Sequence, residues 1–420
     1  MQRRKFLQSL AAGAAASVWR PAVSEAALPQ AKITKVNIYE PPRLNRLFNQ
    51  SDMVVTIETD AGITGIGEGG SKDTLEQCAG SLIGKNPFKT EALWQEVYVA
   101  LFYPPGREKT DAQGALDLAL WDIKGKATGL PLHEMLGGTT RNYVECYATS
   151  GLPTGVGAAA GGRGGVMSLK DRAKATIDSG YRGFRVDASI GGAIPDNVFN
   201  THERVRLVAA ACKEIREGVG KGDWMIDFHQ KFDFIDALRC CKLIEEYEPY
   251  FVEDPVRAEH FLQDIPKLRQ LTTCPLTAGE EWGNRWDFNK LVEDHDIDYI
   301  RATLPNVGGI TEMMKIAALC ETHAVGIIPH FTGPIATAAL VGSLSTFPGP
   351  VIMEYNFGGR PVPYLPECLD FKEGKVYPNQ RPGLGVTADF KQLKLIGSVD
   401  KVNNDRVSIY ARPDGSITHW

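Results

Sequence analysis

The chain reads as an α/β protein, with a small α+β domain followed by a closed barrel of parallel strands. Three observations predict this. Asp227, Glu253 and Glu280 each close a short apolar run, and they stand 26 and 27 residues apart. A parallel strand, its crossover helix and two connecting loops take about that length. The same beat continues with Arg301 after Tyr-Ile, His330 after Ile-Ile-Pro and Glu354 after Val-Ile-Met, and Arg185 and Asp187 precede it in Gly-Phe-Arg-Val-Asp. Residues 32–70, in contrast, alternate apolar and polar as antiparallel strands do, and residues 74–138 follow with helical spacing.

With 43% hydrophobic and 23% charged residues, the 420-residue chain can bury a large core. A net charge of −5 argues against a dedicated nucleic-acid binder, and no run of about 18 apolar residues predicts a membrane span. Arg3-Arg4-Lys5 precede an Ala-rich apolar stretch, and Ser24-Glu25-Ala26 fits a small-x-small cleavage site. Residues 1–27 therefore predict an export signal. The paired arginines before Phe6-Leu7 are similar to a twin-arginine signal and predict a periplasmic or exported location. The eight cysteines form no CxxC pair and sit mostly in apolar or helical surroundings. They predict buried thiols, with neither a disulfide framework nor a zinc site.

Taken in order, Lys32–Tyr39, Met53–Glu58 and Ile63–Gly67 predict an antiparallel meander, with a polar loop from Pro41 to Ser51 that holds Arg43 and Asn45. Ala112–Thr128 places Leu116, Ala119, Leu120, Ile123 and Ala127 on one helical face, and Gly129 with Pro131 stops the helix. The barrel begins at Val144–Thr149. Helices over Leu169–Ser179 and His202–Arg216 lead into the strands ending at Asp187 and Asp227. Two inserts, a Gly-rich one at 155–165 and another at 190–201, interrupt the regular units. Beyond Glu354 the period is lost, and Pro-rich turns with short final strands predict a tail that returns to the first domain.

In a closed barrel the C-terminal strand ends form one rim, where barrel chemistry occurs. Three carboxylates converging there suit a hard divalent cation such as Mg²⁺, because without one they would repel each other.

The motifs also carry a family resemblance. They are Ala119-Leu120-Trp121-Asp122-Ile123-Lys124-Gly125-Lys126, Asp227-Phe228-His229, Val252-Glu253-Asp254-Pro255, Ala278-Gly279-Glu280, Gly308-Gly309-Ile310-Thr311-Glu312, His330 before Gly333-Pro334, and Pro382-Gly383-Leu384-Gly385. In this order the chain resembles the enolase superfamily, in its mandelate racemase and muconate lactonising branch. Within that branch it is similar to the galactonate- and gluconate-type sugar-acid dehydratases.

The resemblance implies a modified (β/α)7β barrel over 143–360. It also implies an N-terminal α+β capping domain over 28–142 that a C-terminal segment, 361–420, completes. It implies one Mg²⁺ per chain on Asp227, Glu253 and Glu280, a small sugar-acid substrate, no nucleic-acid or membrane partner, and a homo-oligomer. The chemistry implied is removal of the proton next to a carboxylate through a metal-stabilised enediolate, leading to dehydration of an aldonate to a 2-keto-3-deoxy acid. A cycloisomerase, an epimerase or racemase, and a non-catalytic sugar-acid binder remain alternatives.

His330 is the implied base, His229 the acid that protonates the leaving hydroxide, and Glu354 a hydrogen-bonding partner of the substrate. Arg185, Asp187, Arg43, Asn45 and Thr303 are candidate substrate-side residues. Two departures from the family pattern stand out. Relatives carry Lys-x-Lys where this chain has Arg185-Val186-Asp187, and a guanidinium is fixed as a cation. That disfavours a two-base racemase. Relatives also orient the base with an Asp where this chain has Thr303, and a hydroxyl cannot raise imidazole basicity as a carboxylate does.

Overall fold

The computed structural model describes residues 28–45, 50–100, 106–149, 167–188, 190, 200–355, 362–402 and 409–418. The expected export signal, the insert at 155–165 and most of that at 190–201 lie outside them.

The first domain opens with the predicted meander, β1 (Ile33–Glu40), β2 (Val54–Thr59) and β3 (Thr64–Glu68). Ile33, Val36, Ile38, Val55 and Ile57 face one side and pack against three helices, α1 (Lys72–Ala79), α2 (Thr90–Val99) and α3 (Arg107–Thr128). Helix α3 begins five residues before the apolar spacing starts. Thr110 and Asp111 are polar yet buried, so its first turn lacks the periodic signal. Gly129, in the left-handed region, ends the helix with its N–H on the Gly125 carbonyl, as a glycine cap should.

After a short turn of helix, α4 (Leu132–Met135), the barrel runs β4 (Val144–Thr149), α5 (Leu169–Asp178), β5 (Gly183–Asp187), α6 (Thr201–Val219), β6 (Asp223–Asp227) and α7 (Phe234–Ile244). It continues β7 (Phe251–Glu253), α8 (Phe261–Arg269), β8 (Leu276–Ala278), α9 (Arg285–Glu293), β9 (Tyr299–Ile300), α10 (Ile310–Thr322), β10 (Gly326–Ile327), α11 (Pro334–Leu344) and β11 (Met353–Glu354). Strands β4 to β10 pair in parallel in sequence order. Strand β11 pairs with β4, and the Ile327–Val351 bridge ties it to β10, which closes the ring. The result is the expected (β/α)7β barrel. Its bore is plugged by Tyr147, Met225, Phe251, Ile328 and Ile352, so the lower barrel is core and not channel.

The first domain sits on the loop between β9 and α10. Trp94 Nε1 donates to the Gly308 carbonyl at 2.7 Å, and Trp121 Nε1 donates to Thr311 Oγ1 at 2.9 Å. Asp117 caps α10 by accepting from the Thr311 N–H at 2.9 Å and the Thr311 hydroxyl at 2.6 Å. A Cβ at Gly114 would lie 2.0 Å from the Pro305 carbonyl oxygen, so only glycine allows α3 this close to the rim. In the tail, β12 (Asp370–Lys372) and β13 (Lys375–Tyr377) form a hairpin on β4. Strand β14 (Lys394–Val399) then joins β1 antiparallel, as the sequence predicts for a returning tail.

All eight cysteines are unpaired, seven of them buried. No helix among the described residues is long and apolar enough to cross a membrane.

Candidate active site

The strand ends meet as predicted. Asp187, Asp227 and Glu253 are direct neighbours across β5, β6 and β7, and Glu280 follows β8 by two residues. The acids do not meet alone. The guanidinium of Arg185, from β5, is 5% exposed and reaches across the rim. Its Nη1 donates to Asp227 Oδ2 at 3.1 Å and to Glu253 Oε2, and its Nη2 donates to Glu354 Oε1 at 2.9 Å. Its Nε donates to Thr149 Oγ1 at 3.0 Å, and the Thr149 hydroxyl in turn donates to Glu354 Oε1 at 2.5 Å.

Arg301, fully buried just after β9, stands on the other side. Its Nη2 lies 2.9 Å from Glu354 Oε2 and 3.5 Å from Glu280 Oε2. Its Nη1 donates to the Tyr147 hydroxyl at 2.5 Å and to the carbonyls of Ile328 and Pro329. Its Nε faces Glu253 Oε1 at 2.8 Å as an ion pair without hydrogen-bond geometry, so both atoms are buried with no hydrogen-bond partner.

Burial and charge pull these groups in opposite directions. Burial pushes Asp227 well above the usual carboxylate range, the Glu253 charge adds to this, and Arg185 opposes it. Burial likewise raises Glu253 to about 7, against Arg185 and Arg301. Burial also penalises the Glu354 anion, but Arg185 and Arg301 on its two oxygens outweigh that and hold its carboxyl below the usual range.

His330 is buried at the end of the barrel's seventh strand segment. Its Nδ1 lies 2.5 Å from the Phe331 carbonyl oxygen. A carbonyl only accepts, so the proton sits on Nδ1 and the Nε2 lone pair is free. Nε2 faces Glu280 Oε2 at 3.6 Å. Burial lowers the pKa of His330, with Glu280 and Glu354 opposing, so the ring is neutral near pH 7, as a base must be.

Thr303 does not orient this ring. Its hydroxyl accepts the His330 main-chain N–H at 2.7 Å and donates to the Arg301 carbonyl at 3.1 Å, locking two strand ends together. His229 lies two residues beyond Asp227, where β6 ends, and is exposed with φ +53°. Its main-chain N–H binds Asp227 Oδ1 at 2.6 Å. Asp187 ends β5, half-buried. Arg43 is exposed, and Asn45 bonds within its own loop to Asp52 and Gln50. Asn45 also lines a first-domain cavity of about 440 Å³ with Ser51, Gly70 and Asp111. Tyr147 and Thr149 were not singled out from sequence, because they lie inside an unremarkable strand. Arg301 was visible only as one more polar strand end.

The donors and the charge suit a divalent cation. All donors are oxygens, Glu253 Oε1 has no hydrogen-bond partner, and the four carboxylates, once ionised, outnumber the two guanidiniums by two charges. Yet among the described residues no group of three His, Cys, Asp or Glu side chains is disposed to hold a metal ion. Arg185 Nη1 stands between the Asp227 and Glu253 oxygens instead.

A capped (β/α)7β barrel with acids on successive strand ends and a histidine across the rim defines an enolase-type protein. Residues 168–392 match the enolase C-terminal domain-like model, and 34–137 match the mandelate racemase / muconate lactonizing enzyme N-terminal domain. The chain belongs to the mandelate racemase / muconate lactonizing enzyme family. It is 34% identical over 409 residues to a D-galactonate dehydratase of Pectobacterium atrosepticum, covering 93% of this chain and 100% of that one. A D-galactonate dehydratase of Ralstonia pickettii is 32% identical with the same coverage. Among solved structures, an enolase superfamily member from Salmonella Typhimurium is 25% identical, with a TM-score of 0.76 over 88% of this chain and 99% of that one. An enolase from Pantoea ananatis with bound D-gluconate and Mg is also 25% identical, with a TM-score of 0.74 over 86% of this chain and 94% of that one.

Proposed function

We propose that the chain is a sugar-acid dehydratase that converts an aldonate to a 2-keto-3-deoxy acid. The observation that carries this is His330, buried and neutral, with its proton fixed on Nδ1 and its Nε2 free beside the acid and arginine lattice. The D-galactonate dehydratases at 32–34% identity over 93% of the chain support the reaction class.

In this reading a Mg²⁺ held by Asp227, Glu253 and Glu280 supplies the positive charge against which a carboxylate gives up its neighbouring proton. His330 Nε2 takes that proton from C2. Arg185 presents a cationic edge to the charge that develops on the carboxylate, and Arg301, fixed by Tyr147 and two carbonyls, holds Glu253 and Glu354 behind it. The C3–oxygen bond then breaks, the hydroxyl leaves as water with a proton from His229, and the enol becomes the keto acid. With Arg185-Val186-Asp187 on β5 and no lysine there, proton removal is one-sided, which favours dehydration over racemisation. Export is part of the same proposal. Finding the uncleaved chain in the cytoplasm on cell fractionation would refute it.

The test is to incubate the protein with Mg²⁺ and a panel of aldonates, D-galactonate and D-gluconate among them, in D₂O. Keto-acid formation from one acid, abolished in His330→Asn, is expected. Deuterium exchange without dehydration moves the assignment to an epimerase or cycloisomerase, and neither exchange nor product from any acid overturns it in favour of binding alone.

A further inference from the structure

We infer that Arg185 is an exchangeable cation of the rim, competing with a divalent metal ion for Asp227 and Glu253. This rests on the metal part of the proposed function and not on its sugar-acid part. The argument is in how the two arginines are held. Arg301 is fixed on every edge, by the Tyr147 hydroxyl, the carbonyls of Ile328 and Pro329, and the carboxylates of Glu253 and Glu354. No rotation of its guanidinium frees one edge while keeping the rest.

Arg185 is divided. Its Nε and Nη2 are anchored on Thr149 and Glu354, which belong to β4 and β11. Its Nη1 alone touches Asp227 and Glu253, on β6 and β7. Those two carboxylates cannot converge on a small hard cation while a nitrogen bridges their facing oxygens. Mg²⁺ needs oxygen ligands at about 2.1 Å in near-octahedral order. A modest swing about the Thr149–Glu354 anchor releases Nη1 and leaves the other edge in place. The ion brings the two positive charges that the four ionised carboxylates lack, so the rim is neutral only with the metal bound. The released Nη1 then has two N–H donors facing the rim, the fork chemistry that recognises a carboxylate. Metal binding and carboxylate binding are therefore coupled through one side chain, and Arg185 sets the metal affinity.

Mn²⁺ serves as the probe, with the free ion followed by its EPR signal, on the metal-stripped full chain, Arg185→Gln and Arg185→Lys. Arg185→Gln should bind Mn²⁺ at least tenfold more tightly than wild type, melt at a lower temperature without metal, and regain the loss when Mn²⁺ is added. Arg185→Lys, a single ammonium unable to span both anchor and acids, should fall between. Equal or weaker Mn²⁺ affinity in Arg185→Gln overturns the inference, as does failure of all three proteins to bind Mn²⁺. If Arg185→Gln folds only with metal, its Mn²⁺ release into chelator is measured instead. Release slower than wild type supports the exchange, and equal or faster release refutes it. Neither readout uses turnover, so a chain that binds Mn²⁺ in this way yet dehydrates nothing would remove the dehydratase assignment alone.

Discussion

Arg182, just before β5, and Arg185, on it, lie three residues apart, and each bridges carboxylates of other strands. Arg182, at the lower end of the barrel, pairs with Glu145 and Asp223 at 2.7 Å each, with its side chain 35% exposed and its guanidinium 5.0 Å from the Tyr250 ring. Arg185, at the upper end, pairs with Asp227, Glu253 and Glu354 almost out of water. The contact chemistry is the same and the surroundings are opposite. Below, two acids share one arginine in a wet, screened setting, and the cluster pins strand starts. Above, four acids face two arginines with water excluded, and the shortfall of positive charge marks the rim as a place to receive a cation. Burial distinguishes the two, and not the presence of ion pairs or the ratio of acids to arginines.

Substitutions can break this comparison, beginning with the largest effect. His330→Asn should lower the rate by on the order of 10²–10⁴ while leaving Mg²⁺ binding intact, read by turnover and by metal titration side by side. Arg301→Met should cost about 3–5 kcal/mol in urea unfolding, because it strands Glu253 and Glu354 in the interior. Thr303→Val leaves the His330 N–H unsatisfied and should cost about 1–3 kcal/mol. It should lower kcat with little change in KM, and Thr303→Ser should restore both. Arg182→Met, the lower-end counterpart, should cost no more than about 1 kcal/mol. A penalty there equal to that of Arg301→Met would erase the distinction.

The pH profile sharpens the same contrast. Burial lowers the pKa of His330, so the ring stays neutral to lower pH than an ordinary histidine. The acid limb of kcat/KM should therefore lie below about pH 6.5, the unperturbed histidine value. A bound cation nearby moves it the same way. An acid limb above that value would show that another group is the base.

Much of the rim was legible because each acid closes an apolar run, and the period of the runs fixes which residues share one end of the barrel. What was illegible depends on contacts between strand ends far apart in sequence. Thr303 was recognised as a departure from the family pattern, but its partner, the main-chain N–H of His330 27 residues later, leaves no local trace. Tyr147 reads as an ordinary strand aromatic until Arg301 is seen to donate to it. The turn that carries His229 is equally hidden, since β6 stops at Asp227 and the backbone enters the left-handed region at His229 and Gln230. Asn45 was a substrate-side candidate in a polar loop, and the bond of its amide to Gln50 within that loop is not visible in the sequence.

One consequence follows from the pairing of β14 with β1. Ser398 and Asn37 are bonded across 361 positions of chain, so the first strand made waits for nearly the whole chain before it finds this edge partner. Until residues 394–399 arrive, β1 presents an open row of backbone donors and acceptors, the kind of edge that recruits other chains. Assembly of the cap is therefore timed by the end of synthesis. A permutant joining the tail directly to β1 would let the cap close before the barrel is made.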